Sequence, residues 1–93
     1  LTDRGVVTID GADAVDFLQN LVTNDISQVG EGEAAFAGLL SPQGKILFDF
    51  FVVRSRDGIL LDVARDRAGD LVKRLQMYKL RARLDIADAS ALW

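Results

Sequence analysis

Cysteine and histidine are absent from this chain, and proline, tryptophan, tyrosine and methionine occur once each. Without cysteine there are no disulfides, no thiol nucleophile and no thiolate metal site. Without histidine the usual zinc ligand and the commonest general base are missing. No apolar run approaches the ~20 residues that a membrane span needs. The net charge of −3 argues against a dominant nucleic-acid role. The opening Leu1-Thr2-Asp3-Arg4 has neither a Met nor a signal-peptide pattern, so a piece of something longer is expected. What remains is ordinary for a soluble globular domain: 49% apolar and 27% charged residues over 93 positions, enough for one modest core.

Within that frame Asp49 stands out. It interrupts Lys45-Ile46-Leu47-Phe48-Asp49-Phe50-Phe51-Val52-Val53, which otherwise reads as a buried strand. Alternation along a strand puts Ile46, Phe48, Phe50 and Val52 on one face, and Leu47, Asp49, Phe51 and Val53 on the other. Both faces are apolar apart from the one acid. An ionised carboxylate buried there is expensive unless something pairs with it. Asp49 is therefore expected either at a sheet margin or bonded to a backbone N–H or to Arg4, Arg54 or Arg81, or else desolvated and used for binding or proton transfer.

The periodicity predicts seven short elements. Strands are expected over Gly5–Ile9, Ala34–Leu40, Lys45–Arg54, Ile59–Ala64 and Arg83–Ala87. Ala14, Phe17, Leu18, Leu21 and Val22 follow helical spacing, with Asp13 and Asp16 in the first turn and Thr23-Asn24-Asp25 at the end. Ala68, Leu71, Val72, Leu75 and Tyr78 mark a second helix capped by Asp66. Ser41-Pro42-Gln43-Gly44 and Arg56-Asp57-Gly58 are turns. The order β-α-β-β-β-α-β gives an α+β fold: an antiparallel-rich sheet of about five strands with two helices on one face.

Three further features have two readings each. Thr23-Asn24-Asp25 is a helix cap or a ligand loop. Ser41-Pro42-Gln43-Gly44 is a hairpin turn or a ligand loop. The basic run Lys73, Arg74, Lys79, Arg81 and Arg83, with Tyr78 inside it, is a solvated helix end, a nucleic-acid patch or a site for an anionic small molecule such as a polyglutamate tail.

Four stretches taken together carry a resemblance. They are Arg4 to Ala14; Phe17-Leu18-Gln19-Asn20-Leu21-Val22-Thr23-Asn24-Asp25-Ile26; Leu39-Leu40-Ser41-Pro42-Gln43-Gly44-Lys45-Ile46-Leu47-Phe48-Asp49; and Leu75-Gln76-Met77-Tyr78-Lys79-Leu80-Arg81. In this order they resemble the N-terminal part of the YgfZ-type folate-binding proteins. Those proteins are similar to the glycine cleavage T-protein, an aminomethyltransferase, and to the mitochondrial iron–sulfur assembly factor of the same superfamily.

The resemblance implies that residues 1–93 form a single domain, the first part of a longer three-domain protein around a central folate pocket. Tetrahydrofolate is the implied cofactor, with no metal. Asp49 aligns with the T-protein Asp that contacts folate and supports one-carbon transfer, so it is the candidate catalytic residue. Asn24, Asp25, Tyr78 and Arg81, each inside a matched block, complete the expected folate-binding set. Implied partners are the remaining domains and iron–sulfur client proteins, with no nucleic acid and no membrane. The location is the bacterial cytoplasm, or the mitochondrial matrix in a eukaryote. The chain also departs from the pattern. Phe48 stands where the T-protein often has a second acid, and Val63-Ala64-Arg65 stands where it often has an Asn. The Lys-Gly-Cys-Tyr-x-Gly-Gln-Glu block of the YgfZ branch is absent. Three functions therefore stay open: folate-dependent support of iron–sulfur assembly or repair, aminomethyl transfer to tetrahydrofolate, and a non-catalytic interaction domain. A segment of this kind should expose apolar surface, Trp93 included, and self-associate through it or through a sheet edge.

Overall fold

The computed structural model describes residues 4–55, 58–79 and 81–90. Seven elements follow one another: β1 (Arg4–Asp10), α1 (Ala14–Gln19), β2 (Ala34–Leu40), β3 (Ile46–Arg54), β4 (Gly58–Ala64), α2 (Arg65–Lys79) and β5 (Asp85–Asp88). The strands form one sheet in the order β2-β3-β4-β1-β5, with every pairing antiparallel. The predicted α+β class and element order are observed. Trp93 and the Arg56-Asp57 half of one predicted turn lie outside the described residues. No helix is long and apolar enough to cross a membrane, among the described residues.

One face of the sheet is buried under the helices. Val7 and Ile9 on β1, Ala37 and Leu39 on β2, Phe48, Phe50 and Val52 on β3, and Ile59, Leu61 and Val63 on β4 all point inward. The registers Val7↔Leu61, Val52↔Leu61 and Ala37↔Phe50 put them on the same side. α2 lies over β1, β4 and β5 and contributes Ala68, Leu71 and Leu75, the three- and four-residue spacing of one helix face. α1 contributes Ala14 and Leu18, and Ile26 from the following loop closes the core at full burial.

Three local outcomes differ from expectation. α1 ends at Gln19 with Asn20 as its cap, so Leu21 and Val22 leave the helix. Val22 instead bridges Leu39 on the outer edge of β2, trading a helical turn for pairing with an edge strand that would otherwise lie bare. Asp66 sits in the first turn of α2 rather than before it, because α2 begins directly at the end of β4. The third outcome is a bulge in β3. Leu39 faces Phe48 but Leu40 faces Ile46, which leaves Leu47 with no opposite number. The extra residue turns Ile46 away from the core, where it is 64% exposed.

The two faces of β3 make unequal contributions. Phe50→Ala should cost about 3–5 kcal/mol through the cavity it leaves. Phe51→Ala, which loses a half-exposed ring, should cost about 1 kcal/mol. Urea denaturation of both variants measures the difference, and equal costs would mean that the core face is misassigned.

Candidate functional site

The inward turn of Phe48, Phe50 and Val52 sends Asp49 and Phe51 to the open face of the sheet. Asp49 is exposed, contrary to the expectation of a desolvated carboxylate. Its neighbour across β2 is Gly38, which puts no side chain over it. None of the three candidate arginines pairs with it. Arg4 bonds Asp62 through Nε at 2.9 Å, Arg54 donates to the Val29 carbonyl at 3.4 Å, and Arg81 is exposed beyond α2. Among the described residues the Asp49 carboxylate has no hydrogen-bond or ion-pair partner.

A cavity of about 230 Å³ lies beside this carboxylate. Asp49, Leu47, Phe48, Val63, Ala64 and Arg67 line it, with Ile46 at its margin. Arg67 reaches across from α2 and spans the cavity wall. Its guanidinium carbon sits 4.4 Å from the centre of the Phe48 ring. One Nη donates to the Leu47 carbonyl at 2.9 Å. That carbonyl belongs to the bulged residue, so the irregularity of β3 supplies the anchor for Arg67. The result is a small recess with an acceptor-only group at one side, a flat aromatic–guanidinium stack at another and apolar Val63 and Ala64 between them. It suits a flat heterocycle that presents N–H donors from one edge.

The other predicted site residues are not in this cavity. Asn24 Nδ2 donates to the Phe36 carbonyl at 3.1 Å, and its Oδ1 accepts from the Asp25 N–H at 2.8 Å. Asp25 Oδ1 accepts from the Ser27 N–H at 2.9 Å and from the Ser27 hydroxyl at 2.5 Å. Gln19 Oε1 takes the N–H groups of Ile26 and Ser27, at 2.7 and 3.1 Å. Thr23 exchanges two bonds with Gly38, each 3.0 Å. These bonds fasten the 23–27 turn to the edge of β2 and use the polar atoms that a ligand would need. Thr23, Gly38 and Asp49 thus lie abreast on adjacent segments, but Asn24 and Asp25 act in building the edge. Tyr78 borders a separate recess with Leu21, Val22, Leu40, Ser41 and Pro42. Arg67 escaped the sequence reading altogether. Its signal was its place one residue before Ala68 and four before Leu71, at the margin of the buried stripe of α2.

The comparisons with known proteins agree with this architecture. Residues 2–91 match the model of the GCVT N-terminal domain family. The chain belongs to that family. An iron–sulfur cluster assembly factor homologue (IBA57, mitochondrial) of Mycosarcoma maydis is 34% identical over 100 residues, covering 94% of this chain and 25% of that protein. Its counterpart in Neurospora crassa is 29% identical over 93 residues, covering 92% of this chain and 21% of that protein. An aminomethyltransferase of Chromobacterium violaceum is 37% identical over 84 residues, covering 88% and 22%. In structure, the glycine cleavage system aminomethyltransferase T of Bartonella henselae superposes with a TM-score of 0.85 at 18% identity, over 96% of this chain and 25% of that one. This likeness shows a shared fold. The chain spans about a quarter of the length of the relatives it matches.

The Asp25 cluster has a measurable consequence. The Ser27 hydroxyl and N–H both stabilise the charged carboxylate, so the Asp25 pKa is lowered from its ordinary value. A lowered native pKa favours folding above the unfolded-state value, and that gain is lost as pH falls through the native one. Ser27→Ala should move the Asp25 titration back up, followed by carboxyl carbon shifts in NMR. No movement would mean that the Ser27 hydroxyl does not hold the carboxylate.

Proposed function

We propose that this chain is a tetrahydrofolate-binding segment of a longer protein that supports iron–sulfur cluster assembly or repair. The observation that carries the reading is the unpartnered Asp49 carboxylate beside an open, partly apolar cavity. Asp49 is also the position at which the resemblance places a folate contact. The donor set fits the group: the amide and amino N–H edge of a pterin can give two hydrogen bonds to one carboxylate. Phe48 and Arg67 would lie against the ring, while Val63 and Ala64 exclude water from its edge. When bound, tetrahydrofolate supplies the capacity to carry one-carbon units. The residues of this chain bind and orient it.

The sequence similarity to assembly factors over nearly the whole chain supports the iron–sulfur role. A second reading, aminomethyl transfer to tetrahydrofolate, is favoured by the similarity to the bacterial aminomethyltransferase. Phe48 in place of a second acid weighs against it. The assembly-factor relatives are mitochondrial proteins, and the matching location here is the matrix in a eukaryote or the cytoplasm in a bacterium.

The open face of the sheet bears on the rest of the longer protein. Phe36 and Phe51 are 53% and 44% exposed and meet edge to face with ring centres 5.2 Å apart. Val53 and Leu60 pair beside them, and Arg4–Asp62 adds one ion pair. The remaining domains would cover this surface and complete the folate pocket.

Two measurements test these readings. In NMR titrations of the 93-residue chain, tetrahydrofolate should shift amides around Asp49 with millimolar affinity, since most of the pocket wall is missing. Asp49→Asn should weaken binding about tenfold, the order expected for a charge-assisted hydrogen bond. An unchanged affinity removes Asp49 from the site, and low-micromolar binding overturns the shared pocket. In sedimentation velocity, the chain should self-associate at high concentration and Phe36→Ser/Phe51→Ser should weaken that association. A strictly monomeric wild type contradicts an uncovered interface.

A further inference from the structure

α2 covers the buried side of the sheet, so its outer surface lies on the opposite side of the domain from Phe36 and Phe51. A depression of about 280 Å³ on that surface adjoins the Asp49 cavity and shares Leu47, Phe48 and Arg67 with it. Asp70, Lys73, Arg74 and Met77, all on α2, complete its lining. Residues 67, 70, 74 and 77 recur at three- and four-residue intervals and form one ridge of the helix. At the rise of an α-helix, Arg67 to Met77 covers about 15 Å of the axis. The ends of this strip are apolar. Ile46 and Met77 are 64% and 66% exposed, the two most exposed large apolar side chains among the described residues. Ile46 borders only the first cavity and Met77 only the second, so they mark opposite ends.

The middle of the strip is charged. Arg67, Lys73 and Arg74 stand there against one carboxylate, Asp70. The three cations take part in no ion pair among the described residues. The whole chain carries −3, so this excess of positive charge runs against its overall balance. The two uncovered surfaces of the domain therefore differ in kind. The open sheet face has two phenylalanines, and its Arg4 is already paired with Asp62, which suits a permanent apolar cover. The α2 strip keeps three solvated cations, which steer an oppositely charged partner that comes and goes. A symmetric pair of copies would set these cations against each other. A nucleic acid would find no exposed ring to stack on, since Phe48 is buried, and no use for the apolar ends.

We propose that this strip docks an acidic amphipathic helix of a partner protein, one that carries apolar residues about three turns apart with carboxylates between them. Ile46 and Met77 receive the apolar residues, and Arg67, Lys73 and Arg74 receive the carboxylates. The regular ridge of α2 favours a helix laid along it. Arg67 is held in place by the Leu47 carbonyl and the Phe48 ring, so its remaining N–H donors face the partner in a fixed fork. Lys73 and Arg74 add charge without such a fixed geometry. The docking uses neither Asp49 nor a folate, and it stands or falls apart from that reading.

The probe is a synthetic braced helix of about 15 residues, with two leucines about three turns apart on one face and glutamates between them. It is titrated into the isotope-labelled 93-residue chain at low salt, beside versions with glutamine or lysine in place of glutamate. The acidic helix should shift the amides of Ile46, Leu47, Lys73 and Met77. The glutamine version should bind about tenfold more weakly, the order of three exposed ionic contacts. The difference should fade as salt screens the charges. Lys73→Glu should weaken the acidic helix and restore binding to the lysine version, a rescue that a misfolded variant could not give. Met77→Ser should weaken the acidic helix about fivefold through lost apolar contact. Lys79→Glu, which lies off the strip, should leave the site-specific shifts in place. Equal affinities for the acidic and neutral helices overturn the proposal. A single-stranded RNA that binds more tightly than the acidic helix overturns it in favour of nucleic acid. Self-association of the chain that Lys73→Glu abolishes overturns it in favour of a second copy. Protection of Met77 from oxidation in the isolated full-length protein overturns it by showing that the protein's own domains cover the strip.

Discussion

Burial of Phe48, Phe50 and Val52 under the helices fixes which way Asp49 points. A strand offers two faces, and the core takes the one with the larger continuous apolar surface across its neighbours. Ala37 and Leu39 on one side and Leu61 and Val63 on the other complete that surface. Once the register is set, Asp49 has no choice of environment. It projects from the uncovered side opposite a glycine, and its charge is kept at little cost. The exposure of that carboxylate therefore follows from packing on the face it does not occupy.

The bulge at Leu47 is the second determinant. It ends the alternation, turns Ile46 outward and releases a carbonyl that Arg67 takes up. Without it the strand would run straight, and α2 would have no polar purchase on β3. The guanidinium is held by a hydrogen bond on one edge and an aromatic ring on one face, a geometry that lysine could not reproduce. Arg67 consequently forms a wall shared by the Asp49 recess and the depression along α2.

Much of this was legible in the chain. The seven elements, their order and the two-layer arrangement follow from periodicity and turn chemistry. The prominence of Asp49 followed from alternation. Its exposure did not, because both faces of the strand read as apolar and a single strand says nothing of what lies across from it. Gly38, which lies opposite Asp49 on β2, decides that question through pairing. Leu21 and Val22 kept helical spacing yet joined a strand edge, where tertiary pairing outweighed propensity. Asn24 and Asp25 had a turn reading beside a ligand one, and in the structure their polar atoms close a turn. Arg67 and Phe48 meet because a long side chain at the start of α2 reaches β3, a contact with no signature in sequence spacing.

The strand order carries a consequence for folding. Within this segment β1 precedes the other elements but lies between β4 and β5, and Arg4 finds Asp62 only 58 residues later. Both edges of β1 stay unpaired until β4 and β5 arrive, whereas β2, β3 and β4 pair through local hairpins. Such distant closure slows folding and prolongs the exposure of β1. The seam between β1 and its two neighbours is therefore closed by contacts that are distant in sequence.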